Sequence, residues 1–240
     1  MENCVIVGID MDVAENDRAG DAGHNQDHRD PGEAMRLIKL VQVTLVLAIL
    51  GFPFAPLVVV EAVAGPYEDA EAAYDAQNYA KTLKDLNPLV HAGNDKAQYL
   101  LGRMYALGRG VTQNYEEALK LYRLAGAQGN GDALNSIGNL YAMGKGVTRD
   151  DNEALKWYRL SAAQGNAHGE HGLGNMYASG TGVGKDIVRA YMWYSLAAAQ
   201  GNTTAVTSRD FRAAEMTAAQ IAQAKAMAAK CKASNYKDCG

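Results

Sequence analysis

From about residue 95, apolar positions recur three and four residues apart, a spacing that predicts amphipathic helices. A first helix over residues 95–107 carries one apolar face, formed by Ala97, Leu101, Met104 and Tyr105. Gly108 predicts a left-handed stop for this helix, because glycine adopts a positive φ without steric cost. The pattern therefore predicts a helix of about three and a half turns that buries one face.

A second helix is predicted to start near Asn114 or Tyr115 and to stop at Gly129. Asn114, and Asp150 in the next stretch of sequence, are suited to cap such helices, because short polar side chains accept hydrogen bonds from the first turn. The two helices together predict a hairpin. Its second helix carries an apolar stripe formed by Ala118, Tyr122 and Ala125.

This hairpin pattern recurs every 36 residues, as shown by Gly93, Gly129, Gly165 and Gly201 and by Tyr105, Tyr141 and Tyr177. A period of this length is typical of a solenoid. Degenerate hairpins at both ends bring the prediction to about ten helices, and Thr217 with Gln220 predicts a capping box for the last one. The predicted hairpins cover about 67–93, 94–129, 130–165, 166–201 and 202–231, followed by a short tail.

Residues that hold constant between repeats are predicted to serve packing rather than chemistry. Gly102, Gly138 and Gly174 lie in mid-helix, where glycine costs about 1 kcal/mol relative to alanine. They predict a close approach between helices, with Ala118, Ala154 and Ala190 as small residues on the other side. The large aromatic residues are predicted to fill the core: Tyr105, Tyr122, Tyr141, Trp157, Tyr158, Tyr177, Trp193 and Tyr194.

The repeat resembles the Sel-one-like repeat (SLR), a tetratricopeptide-like family, over roughly residues 67–230. This resemblance implies an all-α fold, a right-handed α/α superhelical solenoid that serves as an interaction scaffold, often in bacterial envelope or signalling complexes. The ending also resembles the terminal cap of exported bacterial members. Some cysteine-rich relatives have been described as β-lactamase-like, and this chain lacks their cysteines. The resemblance rests on Leu101, Gly102, Met104, Tyr105, Gly108, Gly110, Val111, Ala118, Tyr122 and Gly129.

The formal charge of the 240 residues, -4, is unevenly distributed. Residues 1–34 contain nine acidic and two basic residues, whereas residues 65–240 contain 17 acidic and 19 basic residues. The repeat region is therefore nearly neutral and has no cluster of Lys and Arg. Because phosphate binding requires a cationic surface, nucleic acid is excluded as a partner.

Residues 35–64 have the layout of a secretory signal peptide. Arg36 and Lys39 precede an apolar run over residues 40–60, and Ala64 ends a small-residue motif that predicts cleavage before Gly65. Cleavage predicts a periplasmic or secreted protein. The run is also long enough to span a bilayer, so an uncleaved anchor in the inner membrane is the alternative. Three residues that interrupt helices favour cleavage: Gly51, Pro53 and Pro56.

Residues 1–34 do not suit the start of an exported protein, because their net charge of -7 opposes the usual orientation signal. We interpret Met35 as the true start and the upstream residues as either untranslated or a disordered leader. Cys4 lies in this leader. Cys231 and Cys239 are predicted to form a disulfide in the exported protein, and two free thiols are the alternative.

No catalytic, metal or cofactor site is predicted. The segment 179–186 superficially resembles a phosphate-binding loop, but it follows a helix and places Asp186 where a hydroxyl residue is required. His168 and His171 lie three residues apart, whereas zinc normally requires three or four protein ligands. An exposed or pH-responsive pair is therefore predicted.

The first helices carry a stripe of residues that vary from repeat to repeat, roughly opposite the apolar face. By resemblance to tetratricopeptide-type solenoids this stripe lines the concave groove, and we predict that it binds a protein or peptide. A cell-wall-active or β-lactamase-like enzyme and a membrane-tethered adaptor are the alternatives. The predicted binding residues are Lys96, Tyr99, Arg103, Asp132, Asn135, Asn139, His168, His171 and Asn175.

Overall fold

The computed structural model describes residues 65–237 and 239, and within these it contains ten α-helices. The leader, the signal segment and Cys4 lie outside the described residues, as does Ala64 of the predicted cleavage site. None of the described helices combines the length and apolar character needed to cross a membrane. The helices are α1 (Pro66–Asp75), α2 (Tyr79–His91), α3 (Asp95–Leu107), α4 (Tyr115–Ala127), α5 (Gly131–Met143), α6 (Asp151–Ala163), α7 (Ala167–Ser179), α8 (Ile187–Ala199), α9 (Thr203–Ala213) and α10 (Ala218–Ala233).

From α1 to α9, consecutive helices pack on each other along the chain, as in a solenoid, and this confirms the predicted all-α fold. The predicted helix signals are also observed. Asn114 and Asp150 accept backbone hydrogen bonds at the starts of α4 and α6. Gly108 ends α3 with a φ of 67°. The second helix α4 ends at Ala127, two residues before Gly129, because Gln128 and Gly129 already belong to the turn.

The mid-helix glycines are required by a close approach, as predicted. A Cβ added at Gly102, Gly138 or Gly174 would lie 2.7, 2.7 or 2.4 Å from the ring of the tyrosine on the following helix. Those rings belong to Tyr122, Tyr158 and Tyr194. The alanines at 118, 154 and 190 are fully buried. In each hairpin, the tyrosine ring of the second helix therefore packs directly against the backbone of the first helix at its glycine.

Burial of the first helices is broader than one apolar face. Ala97, Gln98, Leu100, Leu101, Gly102 and Met104 are all buried in α3. The varying stripe stays accessible, together with Asp95 and the last three residues of the helix. Of the eight predicted core aromatics, Tyr105, Tyr141 and Trp157 are only partly buried, although they pack against the core. The first helices are broadly buried because each one contacts both its own second helix and the neighbouring hairpin.

Adjacent repeats are joined by asparagines that begin the first helices. Asn130 caps α5 through its Oδ1 and also donates from Nδ2 to Asp95 Oδ2 in the previous repeat, at 2.9 Å. Asn166 caps α7 and donates to Asp132 Oδ1 at 2.8 Å. One side chain therefore begins a helix and links that helix to the preceding repeat.

The last two helices do not pack on each other as a regular hairpin. Instead α9 and α10 both pack against α8, so that α10 folds back on the solenoid. Thr217 and Gln220 form the predicted capping box at its start. A disulfide joins Cys231 to Cys239. It holds the tail beside α10, where the Tyr236 amide donates to the Cys231 carbonyl at 3.0 Å.

Candidate functional site

The nine predicted binding residues lie around two adjoining cavities on the side of the first helices, and we call this surface the first-helix groove. Asn135, Asn139, His171 and Asn175 line a cavity of about 320 Å³, the amide cavity. A second cavity of about 560 Å³, the charged cavity, is lined by Lys96, Tyr99, Arg103 and Asp132. His168 lines both cavities, so the stripe forms one continuous surface.

Two asparagines of the amide cavity are oriented by buried tyrosines. Tyr158 Oη donates to Asn139 Oδ1 at 2.7 Å, and Tyr194 Oη donates to Asn175 Oδ1 at 2.8 Å. Burial raises the pKa of Tyr158 to about 12, so its phenol remains a donor at physiological pH. With each Oδ1 accepting this bond, the Nδ2 groups of both asparagines are the donors offered to a ligand.

The charged cavity differs because aromatic rings hold its cations. The Arg103 guanidinium lies over the rings of Tyr74 and Tyr99, at 5.4 and 5.7 Å from their centroids. Lys96 Nζ lies 5.6 Å from the centroid of the Tyr67 ring. Such contacts fix long side chains that would otherwise move freely. Carboxylates also line this cavity, from Glu68, Glu71, Asp95 and Asp132.

The histidine pair is not uniformly exposed. His168 is exposed, whereas His171 is half-buried, with its ring 5.6 Å from the Tyr194 ring and Nε2 3.4 Å from Ser208 Oγ. Burial, and then the neighbouring His168, lower the pKa of His171. In the part of the chain that the structure describes, no three His, Cys, Asp or Glu side chains are arranged to hold a metal ion.

The loop over residues 179–186 packs against the preceding repeat. A Cβ added at Gly182, whose φ is 66°, would lie 2.6 Å from the carbonyl oxygen of Asp151 at the start of α6. The equivalent Gly146 is similarly close to Tyr115. These glycines are therefore explained by packing between hairpins and not by a phosphate.

Sequence comparison between repeats missed two features of this region. The recurrence of tyrosine at its position predicts that Tyr158 serves packing, yet it also lines the amide cavity. Arg149 and Asp151 line the same cavity, from the loop after α5 and the start of α6. They form a bidentate ion pair, with both N–O distances 3.1 Å. The signal available in the sequence was the pairing of a repeated tyrosine with a varying asparagine on the adjacent helix.

A buried carboxyl lies behind the groove, on the inner side of α7. Glu170 is fully buried, accepts a hydrogen bond from Gln200 Nε2 at 2.8 Å and lies beside Tyr236 of the tail. Its second oxygen, Oε1, has no hydrogen-bond partner of ordinary geometry. Burial raises the pKa of Glu170 to about 7, against smaller opposing effects of Tyr236 and Gln200.

Comparison with known proteins follows the repeat boundaries. Residues 95–130, 131–166 and 167–202 each match the Sel1 repeat. A crystal structure of a protective antigen of uropathogenic Escherichia coli strains, which displays an SLR fold, is 33% identical over 59% of this chain, with a TM-score of 0.53. This chain spans only 32% of that protein.

A Sel1 repeat protein from Oxalobacter formigenes is 38% identical, with 53% of this chain and 96% of that one covered and a TM-score of 0.48. No curated protein matches the chain. The helical hairpins, their 36-residue period and the three matched repeats agree with one another. The chain belongs to the Sel1 repeat family.

Proposed function

We propose that this protein is a non-catalytic scaffold that binds an extended segment of another protein in the first-helix groove. Sel1 repeats generally mediate protein–protein interactions. The observation that carries the proposal is the pair of oriented amides, Asn139 and Asn175, in a cavity that adjoins cations held over aromatic rings. Because these side chains are already held in place, ligand binding costs little side-chain conformational entropy, which favours affinity.

The amide cavity suits the backbone of an extended segment. Two asparagine Nδ2 donors, one in each of two consecutive repeats, can donate to the carbonyl groups that an extended chain presents at regular intervals. The charged cavity adds side-chain discrimination, because it offers both cations and carboxylates. We therefore propose a partner segment that contacts the amide cavity through its backbone and the charged cavity through polar side chains.

We further propose that the scaffold acts in the bacterial cell envelope. The layout of residues 35–64 and the disulfide between Cys231 and Cys239 support export, since disulfides persist in oxidising compartments. N-terminal sequencing of the mature protein tests this. A start at Gly65 supports a released protein, whereas an intact residue 40–60 segment in the membrane fraction would make the protein a membrane-tethered adaptor.

Photo-crosslinking in cells tests the groove. A photoreactive residue at Asn135 is expected to give a defined protein adduct, and one at the exposed Lys120 on α4 is the control. Asn139→Ala with Asn175→Ala is expected to lower the yield of that adduct about tenfold or more, since each hydrogen bond contributes about 1 kcal/mol. Adducts of equal yield from Lys120, or an adduct that survives the double substitution, would contradict the groove assignment.

A further inference from the structure

One leucine recurs on the second helix of every repeat, as Leu124, Leu160 and Leu196. Leu124 and Leu160 are 54% and 49% exposed, whereas Leu196 is only 5% exposed. The difference follows from α10, which folds back onto α8 and shares one core cluster with Leu196 through Ala224 and Cys231. The chain itself therefore shows that an apolar helix can cover this position.

Beside Leu160 there is a third cavity of about 660 Å³, which we call the outer cavity. Its walls are Leu160 and Ala163 of α6, Trp193 of α8, and Tyr236 and Cys239 of the disulfide-held tail. The volume lies within the range of ligand-binding clefts, about 300–1,000 Å³. Unlike the two groove cavities, this one is formed mostly by aliphatic and aromatic side chains.

The rim of the outer cavity is cationic. Lys156, Arg159 and Lys237 line it, and no acidic residue among those the structure describes does. Lys156 already pairs with Glu153. Among residues 65–237 and 239, no ion pair joins Arg159 or Lys237 to a carboxylate; the Arg159 guanidinium only approaches the Tyr177 hydroxyl, at 3.5 Å.

We propose that the outer cavity binds an acidic amphipathic helix of a partner protein. Its apolar side chains would cover the exposed Leu160, as α10 covers α8, and would contact the accessible edge of Trp193, which is only 6% exposed. Its carboxylates would pair with Arg159 and Lys237. The exposed leucine supplies apolar area for the contact, and the two cations select the sign of charge on the partner. This site lies on the second helices α6 and α8 and the tail, with Tyr177 of α7, and it shares no lining residue with the first-helix groove.

Peptide display on the full-length protein tests the proposal. Random peptides of 16 residues, the length of α10, are selected for binding. The enriched sequences are expected to combine leucine, methionine or phenylalanine at helical spacing with a net negative charge. Enrichment of basic peptides, or of none, would overturn the proposal.

Titration of a selected peptide then locates its site. The chain has two tryptophans, so Trp157→Phe leaves Trp193 as the only indole reporter in the outer cavity. Leu160→Ser is expected to weaken binding about tenfold, because truncating a central apolar contact costs about 1–2 kcal/mol. Leu124→Ser is the matched control, since it changes an equally exposed leucine at the same repeat position and should leave the affinity unchanged.

Charge reversal provides the second control. Arg159→Glu with Lys237→Glu is expected to abolish binding of the acidic peptide and to permit binding of the same peptide with its acidic residues replaced by lysine. Asn139→Ala with Asn175→Ala, in the first-helix groove, should change neither affinity. The proposal fails if Leu160→Ser and Leu124→Ser act alike. It also fails if the peptide binds nowhere and Leu160→Ser instead dissolves a dimer of this chain.

Discussion

Gln200 Nε2 donates a buried hydrogen bond of 2.8 Å to Glu170 Oε2, and the first repeat makes the same contact between two glutamines. There, Gln128 Nε2 donates to Gln98 Oε1 at 2.9 Å. Glu170 therefore replaces a neutral acceptor with an ionisable one at a fully buried position. The solenoid tolerates glutamine at this position, which makes the contribution of the charge measurable.

Glu170→Gln is expected to remove a pH dependence of stability. Because burial raises the pKa of Glu170 from 4.5 to about 7, the folded state binds a proton more tightly than the unfolded state. The free energy of unfolding therefore falls as pH rises from about 4.5 to about 7, by an amount on the order of 3 kcal/mol. Glu170→Gln should match the wild type near pH 5 and exceed its stability at pH 8.

Urea unfolding of both proteins at the two pH values tests this prediction. His171, whose pKa is lowered, contributes in the opposite direction in wild type and variant alike, so the difference between them isolates Glu170. Glu116→Gln, at an exposed position on α4, is the control and should show no such gain at pH 8. A constant difference between Glu170→Gln and wild type across pH would refute the prediction.

Gly138→Ala is expected to destabilise the second repeat. The new Cβ would lie 2.7 Å from Tyr158 Cε1, and the ring is held from the other end by Asn139. Overpacking costs about 1–3 kcal/mol, and the better helix propensity of alanine returns up to about 1 kcal/mol. A net loss of up to about 2 kcal/mol in urea unfolding is the expected result.

Gly184→Ala is the matched control for this substitution. A Cβ at Gly184 has no neighbour within 4 Å, so the stability of the Gly184→Ala variant should equal or slightly exceed that of the wild type. Equal stabilities for the two alanine variants would mean that the tyrosine ring yields without cost, and the packing explanation of the repeated glycines would then be wrong.

Asn130→Asp is expected to weaken the link between the first and second repeats. Aspartate still caps α5, but it loses the Nδ2 donor and brings a second carboxylate next to Asp95. A loss of about 1–2 kcal/mol is expected from the missing hydrogen bond and the like-charge contact. Thermal unfolding followed by circular dichroism measures it.

Asn114→Asp separates capping from linkage. The equivalent positions in the next two repeats are Asp150 and Asp186, and both cap their helices. Asn114→Asp should therefore leave the melting temperature unchanged or raise it slightly. If both aspartate variants lose the same stability, the cost lies in the cap and not in the contact with Asp95.

Reduction of the disulfide is expected to loosen the tail before the rest of the solenoid. The bridge closes a loop of eight residues, which corresponds to about 2.5 kcal/mol in the chain-entropy model. Hydrogen exchange of the Tyr236 amide should accelerate on reduction, while amides of α3 to α6 keep their protection, because repeats depend mainly on their neighbours. Unchanged exchange at Tyr236, or a uniform loss across all helices, would contradict this prediction.

The sequence predicted features that depend on short spacing. The bounds of the helix 95–107, the stop at Gly108 and the contact of the mid-helix glycines with the second helix all follow from local propensity and from comparing three repeats. Gln200 and Glu170 are 30 residues apart, and Tyr236 approaches them from the tail. Such contacts depend on how α10 folds back, which no periodic pattern encodes.

The rule that repeated residues serve only packing was too strict for Tyr158. Its ring fills the space above Gly138, whereas its hydroxyl orients Asn139 in the groove. A residue can be constant because its ring packs and still help to form a site through one atom. The varying asparagines were recognisable from the sequence, but their orientation depends on a hydrogen bond between helices.

The asparagine link between repeats also sets the unit by which this protein can change length. Asn130 caps one helix and holds Asp95 of the previous repeat, and Asn166 does the same with Asp132. If residues 131–166 were lost through unequal recombination, Asn130 would still bind Asp95. It would then be followed by the helix that begins at Ala167, which is also capped by an asparagine. A deletion that removed only one member of such a pair would leave the other without its partner. The groove can therefore gain or lose whole repeats, each with its own first-helix side chains, without a new kind of junction.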